Sequence, residues 1–303
     1  MFEKYYEAHK RDWEKEIASC GNRLQGTNDT VDFWRHQRMH NTLMPVIEAC
    51  PSCNWLTVGD GRGTDANFLI RNGCAALASD IGTAFLEKMK ERGFVRDYRE
   101  ENAEALSFKD DAFDFVLCKE AYHHFPRPMV AMYEMLRVSK YDIVLIEPND
   151  QDANYRLVSH FLRWVRKTIR NRRCSRNTSW AVPSFEPVGN YVYTVSKREF
   201  EKFGIASECY ALAFKGINDA YMPGLTNVAP SVTSLKFLRV HARISLRNIF
   251  ARLGIVDYGL LSLFLFKKNP GEQCMQKLLA SGFKIVYLPR NPYIPVEEKN
   301  DEQ

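Results

Sequence analysis

The sequence predicts an α/β protein built on a doubly wound, mostly parallel sheet, and three observations predict it. From Asn54 to Asn149, short apolar runs alternate with stretches of helical periodicity, the signature of successive β/α units. The first run passes into its helix through a glycine-rich turn, "VGDGRG". Polar residues suited to ligand binding, Asp80 and Asn102 among them, stand at the ends of successive runs, where open parallel sheets bind ligands.

The elements follow in order. "NWLTVG" is a first strand and "TDANFLIRNG" a helix closed by Gly73, since glycine adopts the left-handed conformation of a helix C-terminus. "AALASD" is a second strand and "TAFLEKMKERG" a second helix, again closed by glycine. "FDFVLCKE" is a further strand, counted as the fourth. "RPMVAMYEMLRVS" is a helix whose Met129, Met132, Met135 and Leu136 form a face for the sheet. "YDIVLIEPND" is a buried fifth strand. Beyond Asp150 the rhythm breaks into a basic helical stretch and a proline-rich loop, "AVPSFEPVGN". "SKREFEKFG" carries a capping box of Ser196 with Glu199. "ECYALAFKG" and "YGLLSLFLFKK" are the last two strands, with a second basic helix between them. The tail from Cys274 adds a helix and an extended segment.

Composition bounds the function class. With 303 residues, 45% hydrophobic and 26% charged, the chain suits one large globular enzyme domain with insertions. Its longest apolar run, Gly259 to Phe266, falls well short of the roughly 20 residues that cross a bilayer. The charged, amphipathic start has no export-signal core, so a cytoplasmic protein is expected. The eight cysteines are then expected as reduced thiols in small apolar sites. Only "CPSC", Cys50 to Cys53, has metal or redox spacing; it lacks a second ligand pair, and no metal is expected. "NTS" at Asn177 matters only in a secreted protein.

The glycine turn alone fits either a tight structural turn or a ligand loop. Gly59, Gly61 and Gly63 give G-x-G-x-G, with Thr64 where a dinucleotide loop has its third glycine, so a pyrophosphate fits poorly. Asp80, about 20 residues on, stands where a strand-end carboxylate accepts ribose hydroxyls. Together "LTVGDGRG", "ASDI", "ENAEALSFKDDAFDFVLCKEAYHHF", "MYEMLRV" and "IVLIEPN" resemble the class I S-adenosylmethionine-dependent methyltransferases. The resemblance implies a Rossmann-like sheet of seven strands, the last antiparallel, with helical insertions after strands five and six. It implies S-adenosylmethionine as cofactor and S-adenosylhomocysteine as product. Gly59, Asp60, Gly61 and Gly63 would form the loop at the methionine moiety, Asp80 would hold the ribose, and Ile81 would pack on the adenine. Asn102 and Ala103 would read the adenine edge, and Lys119 would pass its backbone beneath the methionine. One position departs from the family: Thr57 stands where an acid is usual, and Asp60 is the place to look for compensation.

Methyl transfer to a hydroxyl needs in-line geometry and a general base. "KEAYHHFPRP" faces the methyl group in this fold and supplies His123 and His124, with Glu120 adjacent; Glu147 and Asp150 are further candidates. An N-terminal helix carrying Trp34, Arg35 and Arg38 is expected either as a lid over the cofactor carboxylate or as an amphipathic helix on the sheet edge.

Two acid-free basic stretches, Arg156 to Arg176 and Lys236 to Arg252, lie on the acceptor side. A solvated face, an anionic small-molecule or glycan acceptor, or peripheral contact with a membrane would each account for them. Nucleic acid fits less well, because no recognisable RNA-binding module is present. The expected organisation is a helical lid or cap over 1–50 and the cofactor-binding half over 51–150. The remainder of the same domain follows over 151–270, then a C-terminal extension over 271–303.

Overall fold

The computed structural model describes residues 2–20 (without the side chains of 12–14 and 16–20), 29–150, 185 and 191–293. The first basic stretch, the Asn177 sequon and the proline-rich loop lie outside the described residues.

The chain forms α1 (Glu3–Cys20), α2 (Val31–His40), α3 (Met44–Ala49), β1 (Asn54–Val58), α4 (Thr64–Arg71), β2 (Ala75–Asp80), α5 (Ala84–Glu91), β3 (Tyr98–Glu100) and β4 (Phe113–Lys119). It continues through α6 (Pro128–Val138), β5 (Ser139–Pro148), α7 (Lys197–Ala206), β6 (Ala211–Ile217), α8 (Leu235–Arg252), β7 (Leu260–Phe266), α9 (Glu272–Ala280) and β8 (Lys284–Tyr287). The strands make one sheet in the order β3-β2-β1-β4-β5-β7-β6-β8. β1 to β5 pair in parallel. β7 is antiparallel to both β5 and β6, so β6 runs with β5. The carboxyl ends of β1, β2, β4, β5 and β6 therefore share one edge of the sheet, and the site is built there.

Apolar runs become strands here because both faces of the sheet are covered. Val46, Leu69, Leu86 and Leu278 bring α3, α4, α5 and α9 onto one face, where Trp55 stacks on Phe115 with centroids 4.6 Å apart. Met132, Met135, Phe200 and Phe203 bring α6 and α7 onto the other. All seven residues of β7 are buried, and its one hydroxyl, Ser262, donates to Thr42 Oγ1 at 2.9 Å, which ties the N-terminal segment to the sheet. Ser196 caps α7 by accepting the Glu199 amide, as its capping box predicts.

Two expectations are corrected. The sheet has eight strands rather than seven: "KIVY" in the tail pairs antiparallel with β6 from Ala211 to Phe214, covering an edge that would otherwise leave unpaired backbone groups. Cys50 and Cys53 form a disulfide rather than remaining reduced thiols. The turn from α3 into β1 sets their Cα atoms 5.6 Å apart, within the range a disulfide spans. Cys74, Cys118, Cys209 and Cys274 are free and buried, as expected.

Candidate functional site

The site begins with the turn after β1. Gly59 has φ +74°, and a Cβ there would lie 2.3 Å from the Cβ of Ala121; the turn therefore requires glycine on conformational and steric grounds. The Asp60 amide donates to Ser79 O and the Gly63 amide to Asp60 O, folding the loop over the end of β2.

The Asp60 side chain turns inward. Its carboxylate accepts the amides of Ala66 at 2.8 Å and Asp65 at 3.3 Å, and the Thr57 hydroxyl at 3.0 Å. Asp60 thus supplies the acceptor that the N-terminus of α4 needs, while Thr57, fully buried, supplies its neutral partner. That pairing is how a threonine is accommodated at position 57. Burial, then the nearby Asp65, pushes the Asp60 pKa up.

Asp80 closes the other side of the loop. It is 7% exposed, and the groups holding its carboxylate among the described residues are the backbone amides of Gly82 (2.8 Å), Ile81 and Gly61. Burial raises its pKa to about 6 despite those amides. A buried carboxylate beside a glycine loop, held by amides rather than by a cation, is an acceptor suited to ribose hydroxyls, and the residues fit the cofactor expected from the sequence.

Sequence reasoning did not find the cluster beneath the loop. Asp65, in the first turn of α4, meets His40 Nε2 at 2.7 Å and Lys119 Nζ at 3.3 Å. Lys119 Nζ also lies 3.3 Å from His36 Nδ1 and 3.6 Å from Glu120. Burial opposes the Lys119 charge, but Asp65 and Glu120 outweigh it and raise its pKa. Burial and Lys119 bring the His36 pKa down to about 2; burial likewise lowers that of His40, against the pull of Asp65. The signal available in the sequence was the spacing of His36 and His40, which places them one turn apart on α2.

The predicted catalytic candidates divide. Glu120, in the left-handed region at φ +52°, turns toward His36 at 3.4 Å, into the cluster just described. His123 Nδ1 lies 2.6 Å from Glu147 Oε2. Glu147 is fully buried at the end of β5, and its other oxygen accepts the amides of Ala121 and Tyr122 at 2.8 and 2.9 Å. The His124 ring packs against His123 at a tilt of 40°, centroids 3.9 Å apart, and meets His9 of α1 edge-on.

Asn102 is half-buried, and its side-chain oxygen accepts the Glu104 amide at 3.0 Å, which shapes the turn carrying Ala103. α1 crosses this turn: Tyr6 donates to Glu104 at 2.5 Å and Lys10 meets Glu100 at 2.5 Å. Trp34, Arg35 and Arg38 are committed to structure. Arg35 pairs with Asp219 and Asp32, Arg38 donates to Asn218 O, and the Trp34 ring meets Phe237 edge-on. Together they bind α2 to the loop after β6 and to α8.

Residues 56–146 match the family described as a methyltransferase domain. The chain is 30% identical over 114 residues to the demethylmenaquinone methyltransferase of Renibacterium salmoninarum, covering 38% of this chain and 48% of that one. It is 33% identical over 92 residues to a ubiquinone/menaquinone biosynthesis C-methyltransferase of Zymomonas mobilis, covering 29% and 38%. The chain thus spans half or less of these relatives' length. Among solved structures it is similar in fold to the magnesium protoporphyrin IX methyltransferase of Synechocystis with bound S-adenosylhomocysteine. The TM-score is 0.50 at 11% identity, covering 86% of this chain and 99% of that one. The 1,6-didemethyltoxoflavin-N1-methyltransferase of Burkholderia thailandensis gives a TM-score of 0.50 at 10% identity, covering 89% and 91%.

Proposed function

Residues 56–146 form a methyltransferase domain of the class I S-adenosylmethionine-dependent superfamily, and from that premise we propose that the chain methylates a hydroxyl of a small-molecule acceptor. S-adenosylmethionine, when bound, supplies an electrophilic methyl group. Asp80 holds the ribose hydroxyls, Gly59, Gly61 and Gly63 let the backbone approach the methionine part, and Asn102 and Ala103 edge the adenine. α1 and α2 cap the site, through Tyr6 on Glu104 and His36 on Lys119.

The observation that carries the acceptor chemistry is the 2.6 Å contact between His123 and Glu147. Glu147 Oε1 already accepts two amides, so Oε2 is the natural acceptor for Nδ1–H. That tautomer leaves the Nε2 lone pair to take a proton from an acceptor hydroxyl, the arrangement of a histidine base oriented by a buried carboxylate. Lys119 serves from beneath the loop through its pairing with Asp65, which fixes α4 against the end of β4.

A second reading, methylation at carbon of a hydroxylated ring, is favoured by the names of the curated relatives. The same base would serve it, because removing the ring hydroxyl proton makes the adjacent carbon a better nucleophile. Thermal shift with S-adenosylmethionine, S-adenosylhomocysteine and NAD tests the cofactor assignment, with stabilisation by the sulfur compounds expected. Stabilisation by NAD alone would overturn it. Mass spectrometry of products from naphthoquinols, catechols and sugars then separates oxygen from carbon methylation.

A further inference from the structure

Among the described residues, α8 carries a face that the packing of the fold does not use. Its inner side is Val240, Ile244 and Ala251, of which Val240 and Ile244 pack with Val31, Trp34 and the loop around Leu225. The opposite side is apolar as well. Leu235, Leu238, Leu246 and Ile249, with Leu253 at the C-terminal cap, are between 42% and 69% exposed. At 3.6 residues per turn these five fall in a stripe about 80° wide, directly opposite the buried face. Lys236, Arg239 and Arg243 are exposed along one border of the stripe, and the helix contains no acid.

We propose that this face docks on an anionic lipid bilayer. An exposed leucine stripe bordered by arginine and lysine is the pattern of a helix lying in the membrane interface, apolar side down, with cations at the headgroups. Nucleic acid would engage the arginines but leave the leucines in water. A second copy would bring two cationic borders together. Only an anionic apolar surface uses both halves of the face.

The position of α8 adds the consequence. It is inserted between the end of β6 and the start of β7, both at the edge of the sheet that carries Asp80 and His123. Its inner side rests on α2, which bears His36 and His40. Docking through α8 therefore brings the edge of the sheet that carries the site to the membrane surface, and the acceptor is one that partitions into lipid. That last step rests on the methyltransferase reading; the docking does not.

The test is flotation of the full chain with phosphatidylcholine vesicles, with and without roughly one-third phosphatidylglycerol, at physiological salt. The protein is expected to float with the anionic vesicles and to stay behind with the neutral ones. Arg239→Glu with Arg243→Glu is expected to weaken binding at least 25-fold, from about fivefold per lost cation; Leu246→Glu with Ile249→Glu is expected to abolish it. Calorimetry with S-adenosylhomocysteine should be unchanged in every variant, which shows that the fold is intact and reads the cofactor assignment separately. Flotation that is absent, or equal with both vesicle types, would overturn the proposal. So would flotation indifferent to the leucine substitutions, or binding to a short RNA in place of vesicles.

Discussion

Replacing Asp80 with asparagine isolates the charge of one carboxylate at nearly constant volume. The side chain is 7% exposed and held by the Gly82, Ile81 and Gly61 amides, so the substitution removes an ionised acceptor from a dry site. Hydrogen bonds to a charged group contribute about 1.5–3 kcal/mol each. With Asp80 in the proposed role of ribose acceptor, losing its charge should therefore weaken S-adenosylhomocysteine binding by roughly 10- to 150-fold. Acidity gives an internal check. Burial lifts the pKa of Asp80 from 3.8 to about 6, so at pH 5 only about one molecule in eleven carries the carboxylate. Affinity of the natural chain should fall about tenfold between pH 8 and pH 5, while the asparagine variant stays flat. Stability should move the other way. Because the folded pKa is raised, the contribution of this group is fully present below pH 3.8 and is lost as pH rises through about 6. At pH 8 the ligand-free Asp80→Asn chain should be more stable by up to ~3 kcal/mol. Isothermal titration calorimetry across pH, with thermal melts beside it, reads all three. Equal affinity for the two chains, or an equal pH slope in both, would refute the reasoning.

Three further outcomes are expected. Glu147→Gln should keep the Ala121 and Tyr122 amides bonded through its oxygen but present an N–H to His123. That forces the other imidazole tautomer and lowers kcat by roughly 10²- to 10⁴-fold with S-adenosylhomocysteine affinity intact; an unchanged tautomer in ¹⁵N spectra of the imidazole would count against the base assignment. Thr57→Asp, which installs the acid usual in the family, should lower the melting temperature at pH 7 by removing about 1–3 kcal/mol, because it replaces a hydroxyl donor 3.0 Å from the Asp60 carboxylate with a second acid; a higher melting temperature would mean that Asp60 is not compensating for Thr57. Asp142 is fully buried without a well-formed side-chain hydrogen bond, and burial raises its pKa well above 3.8, only partly offset by the Leu265 and Ile143 amides. Its contribution to stability is thus lost as pH rises, and Asp142→Asn should stabilise by about 1–3 kcal/mol at pH 8 and by less at pH 5, checked by melts at both values.

Much of the site was legible because it is local. The glycine turn, Asp80 at the end of β2 and Asn102 after β3 depend on sequence neighbours, and parallel β/α units carry strand-end residues to one edge. Asp60 was also legible as the compensation for Thr57, since the two lie three residues apart; the structure adds that it acts by capping α4. The cluster of His36, His40, Asp65, Lys119 and Glu120 was not legible. Its members come from α2, α4 and the end of β4, and beyond the one-turn spacing of His36 and His40 no period in the chain links them.

By itself, then, the sequence determined the β/α rhythm, the glycine turn after β1 and the carboxylate beside it, because hydrophobic period and turn chemistry act over a few residues. Only the tertiary structure decided that His123 meets Glu147. His123 and His124 are adjacent in the chain, but β5 delivers Glu147 to His123 across 24 residues. It also decided that the tail adds an eighth strand and that α8 turns a leucine stripe outward. Those outcomes depend on which surfaces of distant elements are already covered, and that is settled only when the sheet is assembled.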